Sequence, residues 1–316
     1  MKCGKLLKTF KNYTSASVRS VSICYKLLYI YILILGLSVL SSEYCYAGND
    51  IIEIFNTGSV NWSKGIITAK GTNKSLKITS SAQNPQNESI KSAKINAIQN
   101  LLETAKKIRI DSRSTVGSLS VKDNAIMSKM QEMIDAAQIV EQKYLSDESV
   151  EITVHMSLYN GFAQLFLPLD INKQIESIKQ ITPKQNNSEK AQPGFKKKIT
   201  FTGLIINAKN VDIKPALIIT ISDENGNEIC GPAYTSREFA VQYGMYGYAE
   251  SLDSALNNSR IGDNPLIIKG LQKKGRDHSD IIVSNVDAAR IQSSSDNITF
   301  LKKCHVIIIM DGFEKK

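Results

Sequence analysis

The sequence predicts an α+β protein of two small domains, each a mainly antiparallel sheet with packed helices, following an N-terminal signal peptide. Three observations predict this. Residues 1–47 form a basic and then apolar leader. Beyond it, short runs of period-two alternation are interleaved with stretches of helical period. A polar stretch rich in Gln, Asn, Lys and Pro, residues 171–198, separates two such groups and reads as a linker. The first domain then covers 58–170 and the second 199–313.

In the leader, Lys2, Lys5, Lys8, Lys11, Arg19 and Lys26 precede the uncharged "LLYIYILILGLSVL", residues 27–40. Its 14 residues suit a signal-peptide core. A membrane-spanning helix needs about 20. Cys45-Tyr46-Ala47 supplies the small, bulky, small pattern of a cleavage site, so the cut is expected between Ala47 and Gly48. Ser42, Glu43 and Tyr44 stand before Cys45, where a lipoprotein signal has small apolar residues. Cys45 therefore reads as part of the discarded leader. The expected compartment is the periplasm. The alternative is an inner-membrane anchor formed by an uncleaved 27–40, and the leader is then the expected membrane contact.

Removing the leader lowers the net charge from +9 to +4. A mildly basic mature chain gives no reason to expect nucleic acid as a partner. Of the five cysteines, Cys230 and Cys304 remain. They either pair in an oxidising compartment or serve as small buried residues.

In the first domain, "SVNWSKGIITAKG" predicts a strand pair turning at Lys64-Gly65. Ile90, Ala93, Ala97, Ile98, Leu101, Leu102, Ala105 and Ile108 recur at helical spacing after Asn84-Pro85, a helix entry. A second helix is predicted over 123–144 on Ile126, Met130, Met133, Ile134, Ala137 and Val140. "VEITVHMSL" alternates strictly, with Val150, Ile152, Val154, Met156 and Leu158 on one face of a half-buried strand.

In the second domain, "ITFTGLIINA" and "ALIITIS" read as strands, and "DENGNE" as a hairpin turn with Asn225-Gly226 at its tip. "SREFAVQYG" and "AESLDSALNN" read as short helices, "PLIIKGL" and "SDIIVS" as strands, and "NVDAARIQSS" as a helix capped by Ser284 or Asn285. Val306 to Met310 is continuously apolar, which predicts a strand covered on both faces.

The strand pair "GSVNWSKGIITAKG", the helix ending "NAIQNLLETAKKIRIDSRSTV" and the closing strand "VEITVHMSLYNG" resemble the Lpp-twenty lipoprotein family and the N-terminal domain of flagellar assembly protein T. The resemblance covers about a third of the chain. It implies a small α+β docking module in envelope or flagellar assemblies, with no enzymatic activity. The missing lipobox departs from the family lipoproteins.

Residue chemistry points to no reaction. The mature chain holds His155, His278 and His305, with no metal-ligand spacing and no Cys-x-x-Cys. His155 falls on the polar face of its strand. No P-loop, dinucleotide fingerprint or Gly-x-Ser-x-Gly elbow occurs. Asp223, Asn225 and Gly226 suit a hairpin better than a calcium loop, because Gly226 falls fourth rather than sixth. Asp263, Asp277 and Asp280 are the acids to inspect for an active site formed only on folding. No cofactor or metal is expected.

The distinctive stretch is "GPAYTSREFAVQYGMYGYAE", residues 231–250. Tyr234, Arg237, Glu238, Tyr243, Met245, Tyr246 and Tyr248 form a candidate interface, since Tyr, Met and Arg are enriched where proteins meet. The opposing expectation is that the aromatics fill the second domain's core. The leading functional expectation is an exported, non-enzymatic protein docking to envelope or flagellar proteins. The alternative is a periplasmic protein whose Tyr-rich segment binds a glycan fragment.

Overall fold

Strand formation begins at Ile52. In the computed structural model, which describes residues 50–74, 85–147, 149–168, 171, 200–293 and 295–313, Ile52–Phe55 forms β1. Antiparallel pairing joins it to β2, Gly58–Asn61, which in turn pairs with β3, Ile66–Lys74. Gly65 closes the β2–β3 turn at φ +66°, a conformation that favours glycine. The turn stands where the sequence predicts it, and β1 extends the sheet ahead of Gly58.

Helix α1, Pro85–Lys106, covers this sheet. Ala93, Ala97, Leu101 and Ala105, four residues apart, are fully buried. The helix backbone lies directly on Gly71 of β3, where a Cβ would overlap Ala97 N and Ala93 O. Small residues on the helix and a glycine on the strand together allow that approach.

Two short helices follow, α2 at Val116–Ser120 and α3 at Asn124–Asp135. Here the structure corrects the predicted helix over 123–144. The helix ends at Asp135, and Gln138–Tyr144 forms β4, the edge strand beside β5, Ser149–Ser157. Met130 and Ile134 of the predicted stripe are buried, whereas Val140 is exposed on the strand. Strand β5 needs a hydrogen-bonding neighbour on its free side, and the Ile-Val pair at 139–140 has the β-branched character to supply it. The first sheet has the order β1-β2-β3-β5-β4 and is antiparallel throughout. Val150, Ile152 and Val154 face α1, as the alternation predicts.

After α4, Gly161–Phe166, a second sheet is built from β6 Gly203–Asn207, β7 Ile221–Ser222, β8 Glu228–Cys230, β9 Gly247–Ala249, β10 Pro265–Lys274, β11 Asp280–Val283 and β12 Val306–Ile309. Its order is β8-β7-β11-β10-β6-β12-β9. The α+β class holds, but this sheet is not mainly antiparallel. Strands β10, β6, β12 and β9 run parallel, as do β7 and β11. The connections explain the difference. Helices α5 (Arg237–Tyr243), α6 (Leu252–Leu256), α7 (Asn285–Gln292) and α8 (Ser295–Lys302) carry the chain back between parallel neighbours.

Coverage on both faces follows from the apolar runs. Leu204, Ile206, Val306 and Ile308 join the main core, while Ile205, Ile307 and Ile309 join a smaller cluster with Ala255 of α6. The β7–β8 hairpin turns at Gly226 as predicted, and Asp223 accepts from Asn225 N and Asn227 N. Ser284 caps α7 by accepting from Asp287 N.

The stretch "ALIITIS" departs from its predicted strand. Only Ile221–Ser222 enters the second sheet. Leu217 N and Ile218 N instead donate to Arg109 O and Ile110 O at 3.0 and 2.7 Å. Asn160 N reaches Val241 O at 2.7 Å, and Ser63 Oγ reaches Tyr248 O at 2.8 Å. Residues on both sheets share one buried core, and the chain from Gly48 onward is one compact unit. The leader and nearly all of the 171–198 linker lie outside the described residues. Among the described residues no helix is long and apolar enough to cross a membrane.

Candidate ligand-binding cleft

Where the two sheets meet, a cleft of about 600 Å3 opens at the amino ends of β9 and β12. The β2–β3 turn, the β5–α4 turn, helix α5 and the loops before β10 and β12 converge on it. This end is opposite to the carboxyl-end crevice of doubly wound sheets. The cleft is therefore a product of packing between sheets.

Tyr159, in the β5–α4 turn, forms one wall. Two glycines hold its ring. A Cβ at Gly65 would overlap the ring, and a Cβ at Gly244 would lie 2.7 Å from it. Gly65 and Gly244 both have positive φ, +66° and +78°. Burial raises the Tyr159 phenol above its ordinary pKa, against a lowering influence from Arg260.

Phe239 and Tyr243 stand one turn apart on α5 with ring centroids 6.4 Å apart and planes inclined by 25°. Both line the cleft, and the Tyr243 side is open to solvent at 48% exposure.

Arg260 closes the floor. Its Nη1 donates to Gly244 O and Cys304 O, each at 3.0 Å, and its Nη2 donates to Tyr243 O. The Tyr243 and Gly244 carbonyls stand at the carboxyl end of α5, where a cation is favoured, and Cys304 O follows α8. Burial lowers the Arg260 pKa, partly offset by Tyr159. Among the described residues neither Arg260 nor Lys303 has a carboxylate partner. Lys64 is paired with Asp50 at 2.7 Å. His305 Nδ1 lies 3.2 Å from Thr202 O.

The arrangement combines flat aromatic walls with positive charge, and among the described residues no carboxylate lines it. Cys304 also borders it, but burial pushes that thiol up to about 12 and keeps it protonated, against the lowering influence of Arg260. The surface is suited to holding an anion that carries a flat or ring-shaped portion.

The predicted interface divides. Tyr243 and Glu238 are exposed. Tyr234 is half-buried, its hydroxyl donating to Glu228 O at 3.0 Å. Arg237 is half-buried and donates to Gln164 O at 2.8 Å. Met245, Tyr246 and Tyr248 correct the interface expectation, because they are buried at 2%, 4% and 5% exposure. The Tyr246 hydroxyl donates to Ile219 O at 2.7 Å and the Tyr248 hydroxyl to Ala216 O at 2.6 Å. Trp62 meets Tyr248 edge-on at 5.8 Å. These phenols have core partners, which is the opposing expectation for this segment.

Cys230 and Cys304 are free, buried thiols. Ala47 and Gly48 lie outside the described residues. His155 sits on the open face beside Gln138, and His278 lies in the β10–β11 turn at φ +58°. Asp263 precedes β10 and Asp280 begins β11 opposite Lys274, so the length of β10, about 30 Å, separates them. Asp280 instead borders a second cleft of about 590 Å3 and accepts from Thr220 N at 2.9 Å. Among the described residues no cluster of His, Cys, Asp and Glu could hold a metal ion.

Sequence reasoning did not single out Tyr159, Arg260 or Lys303 as cleft residues. The usable signal was Gly65 and Gly244, whose conformations make room for Tyr159.

Residues 203–312 match the family model described as Treponema pallidum Tp0624, second domain. The match runs from β6 through β12. It takes in Tyr243, Arg260, Lys303 and His305, while Lys64 and Tyr159 fall outside it. A search among curated proteins finds no match.

Proposed function

We propose that this chain is an exported, non-enzymatic binding protein of the cell envelope whose cleft takes an acidic glycan fragment. The observation that carries the reading is the shared cleft. The rings of Tyr159, Phe239 and Tyr243 line the same space as Arg260 and Lys303, two cations without carboxylate partners among the described residues. Aromatic faces stack on the apolar faces of sugar rings, and the cations attract a carboxylate. The leader over residues 1–47 and the resemblance of 58–170 to the Lpp-twenty family support an envelope setting.

Thermal unfolding of the chain from Gly48 onward tests this, with a muramic-acid-containing disaccharide and a neutral chitobiose control. A ligand at 100 times its dissociation constant stabilises by about 2.7 kcal/mol, an easily read shift. The acidic sugar is expected to raise Tm more than the neutral one. No shift with either ends the reading.

Docking to envelope or flagellar proteins is a second reading. The resemblance of residues 58–170 to the N-terminal domain of flagellar assembly protein T supports it.

A further inference from the structure

Strand β4 ends the first sheet on one side. Among the described residues it pairs only with β5, and all seven of its residues are exposed. Ile139, Val140, Tyr144 and Leu145 are 46%, 47%, 63% and 40% exposed. An edge of this kind offers unpaired backbone groups to another strand.

We propose that β4 pairs antiparallel with β4 of a second copy of this chain, with Gln142 on the two-fold axis. The side-chain pattern selects the partner. In that register Glu141 faces Lys143 of the other copy, twice over. These pairs fall in the regular stretch from Glu141 to Tyr144. Both charges of the strand meet their opposites.

Neighbouring registers fail. Two-fold symmetry about an axis normal to the sheet requires a residue to face its own copy, because opposed residues must point to the same side. Centring on Glu141 opposes two carboxylates, and centring on Lys143 opposes two ammonium groups. Centring on Tyr144 sets Lys143 against Leu145. Like charges directly opposed are unfavourable, so charges that normally protect an edge here exclude the registers on either side of Gln142.

The geometry is compatible. From Glu141 to Tyr144 the strand is regular, with its bulge confined between Ile139 and Glu141. Glu141 and Lys143 already lie on one face, 2.8 Å apart within the chain. The result is one continuous sheet across two copies. The contact is smaller than a standard interface, so a dimer that dissociates on dilution is expected.

Sedimentation of the chain from Gly48 onward, over about 1 µM to about 1 mM, covers the range in which such a contact dissociates. The wild type should shift from one copy to two. Glu141→Lys should weaken the dimer about tenfold or more, because both ion pairs become repulsions. The double variant Glu141→Lys with Lys143→Glu restores opposite charges and should recover it. Gln142→Arg, which opposes two guanidinium groups, should weaken it without touching either ion pair. Thermal unfolding of each variant shows whether the fold is kept. A single copy at every wild-type concentration overturns the proposal. So does a charge-swapped double variant as weak as Glu141→Lys alone.

Discussion

The ring of Tyr159 packs against Gly244, so that a Cβ at that glycine would lie 2.7 Å from Tyr159 Cε1. Gly244 also holds φ +78° and ψ 151°, a region that side chains rarely adopt. Gly244→Ala should therefore cost about 2–3 kcal/mol of stability. It should also displace the ring from the cleft wall. Urea unfolding checks the first expectation, and ligand titration the second.

A buried ion pair, Glu53 with Arg109, lies beside the first sheet, and Arg109 also reaches the segment before β7. The Glu53 carboxylate accepts from Trp62 Nε1 at 3.0 Å and from the Arg109 guanidinium, while Arg109 Nε donates to Pro215 O at 2.8 Å. The two side chains are 12% and 11% exposed. Glu53→Ala leaves a buried cation and an indole N–H unmet, a loss of about 3 kcal/mol. Glu53→Gln keeps an acceptor for Trp62 and should lose less. Chemical denaturation of both variants, with an Arg109→Met partner to close the cycle, measures the coupling.

Both thiols should be inert in the native state. Burial pushes Cys230 and Cys304 up to about 12 from an ordinary value of 9.0. In the chain from Gly48 onward, alkylation at pH 8 should leave them unmodified until denaturant is added, and mass spectrometry should then find two free thiols. The sign of the pH effect follows. Thiols raised in the folded state cost stability as pH rises from 9 toward 12. A native mass lacking two hydrogens would contradict the free-thiol state.

Glu228 provides an acid-side test. Burial raises its pKa above 4.5, an Ala233 N–H lowers it, and Asp280 raises it further. Below pH 4.5 the carboxyl is protonated in folded and unfolded chains alike, so it costs nothing. The penalty grows as pH rises through the folded value. Glu228→Gln should then gain stability at pH 7, by less than about 1 kcal/mol for a half-buried group, and gain nothing at pH 4. Thermal unfolding across that range reads the difference.

What the sequence made legible follows from how local each cause is. Strict alternation from Val150 to Leu158 reports one covered face, and β5 has one. Asn225-Gly226 dictates its own turn. The segment 136–144 misled because helical spacing and edge-strand pairing both tolerate its apolar residues, and only the free side of β5 decides. Parallel pairing of β6, β10, β12 and β9 depends on where helices return the chain, which no strand encodes. Tyr246 and Tyr248 look like interface residues until Ile219 O and Ala216 O supply buried partners for their hydroxyls. Arg260 gave no signal, because its role comes from carbonyls 16, 17 and 44 positions away in sequence.

The central claim is that the cleft binds an acidic sugar through Tyr243 and Lys303. Calorimetric titration of the muramic-acid disaccharide into wild type, Tyr243→Ala and Lys303→Glu tests it most directly. Loss of a stacking ring or reversal of a cation should each weaken binding about tenfold or more, with Tm in the absence of sugar unchanged. Wild-type binding that both variants retain at full strength, or no heat from the wild type, would contradict the account.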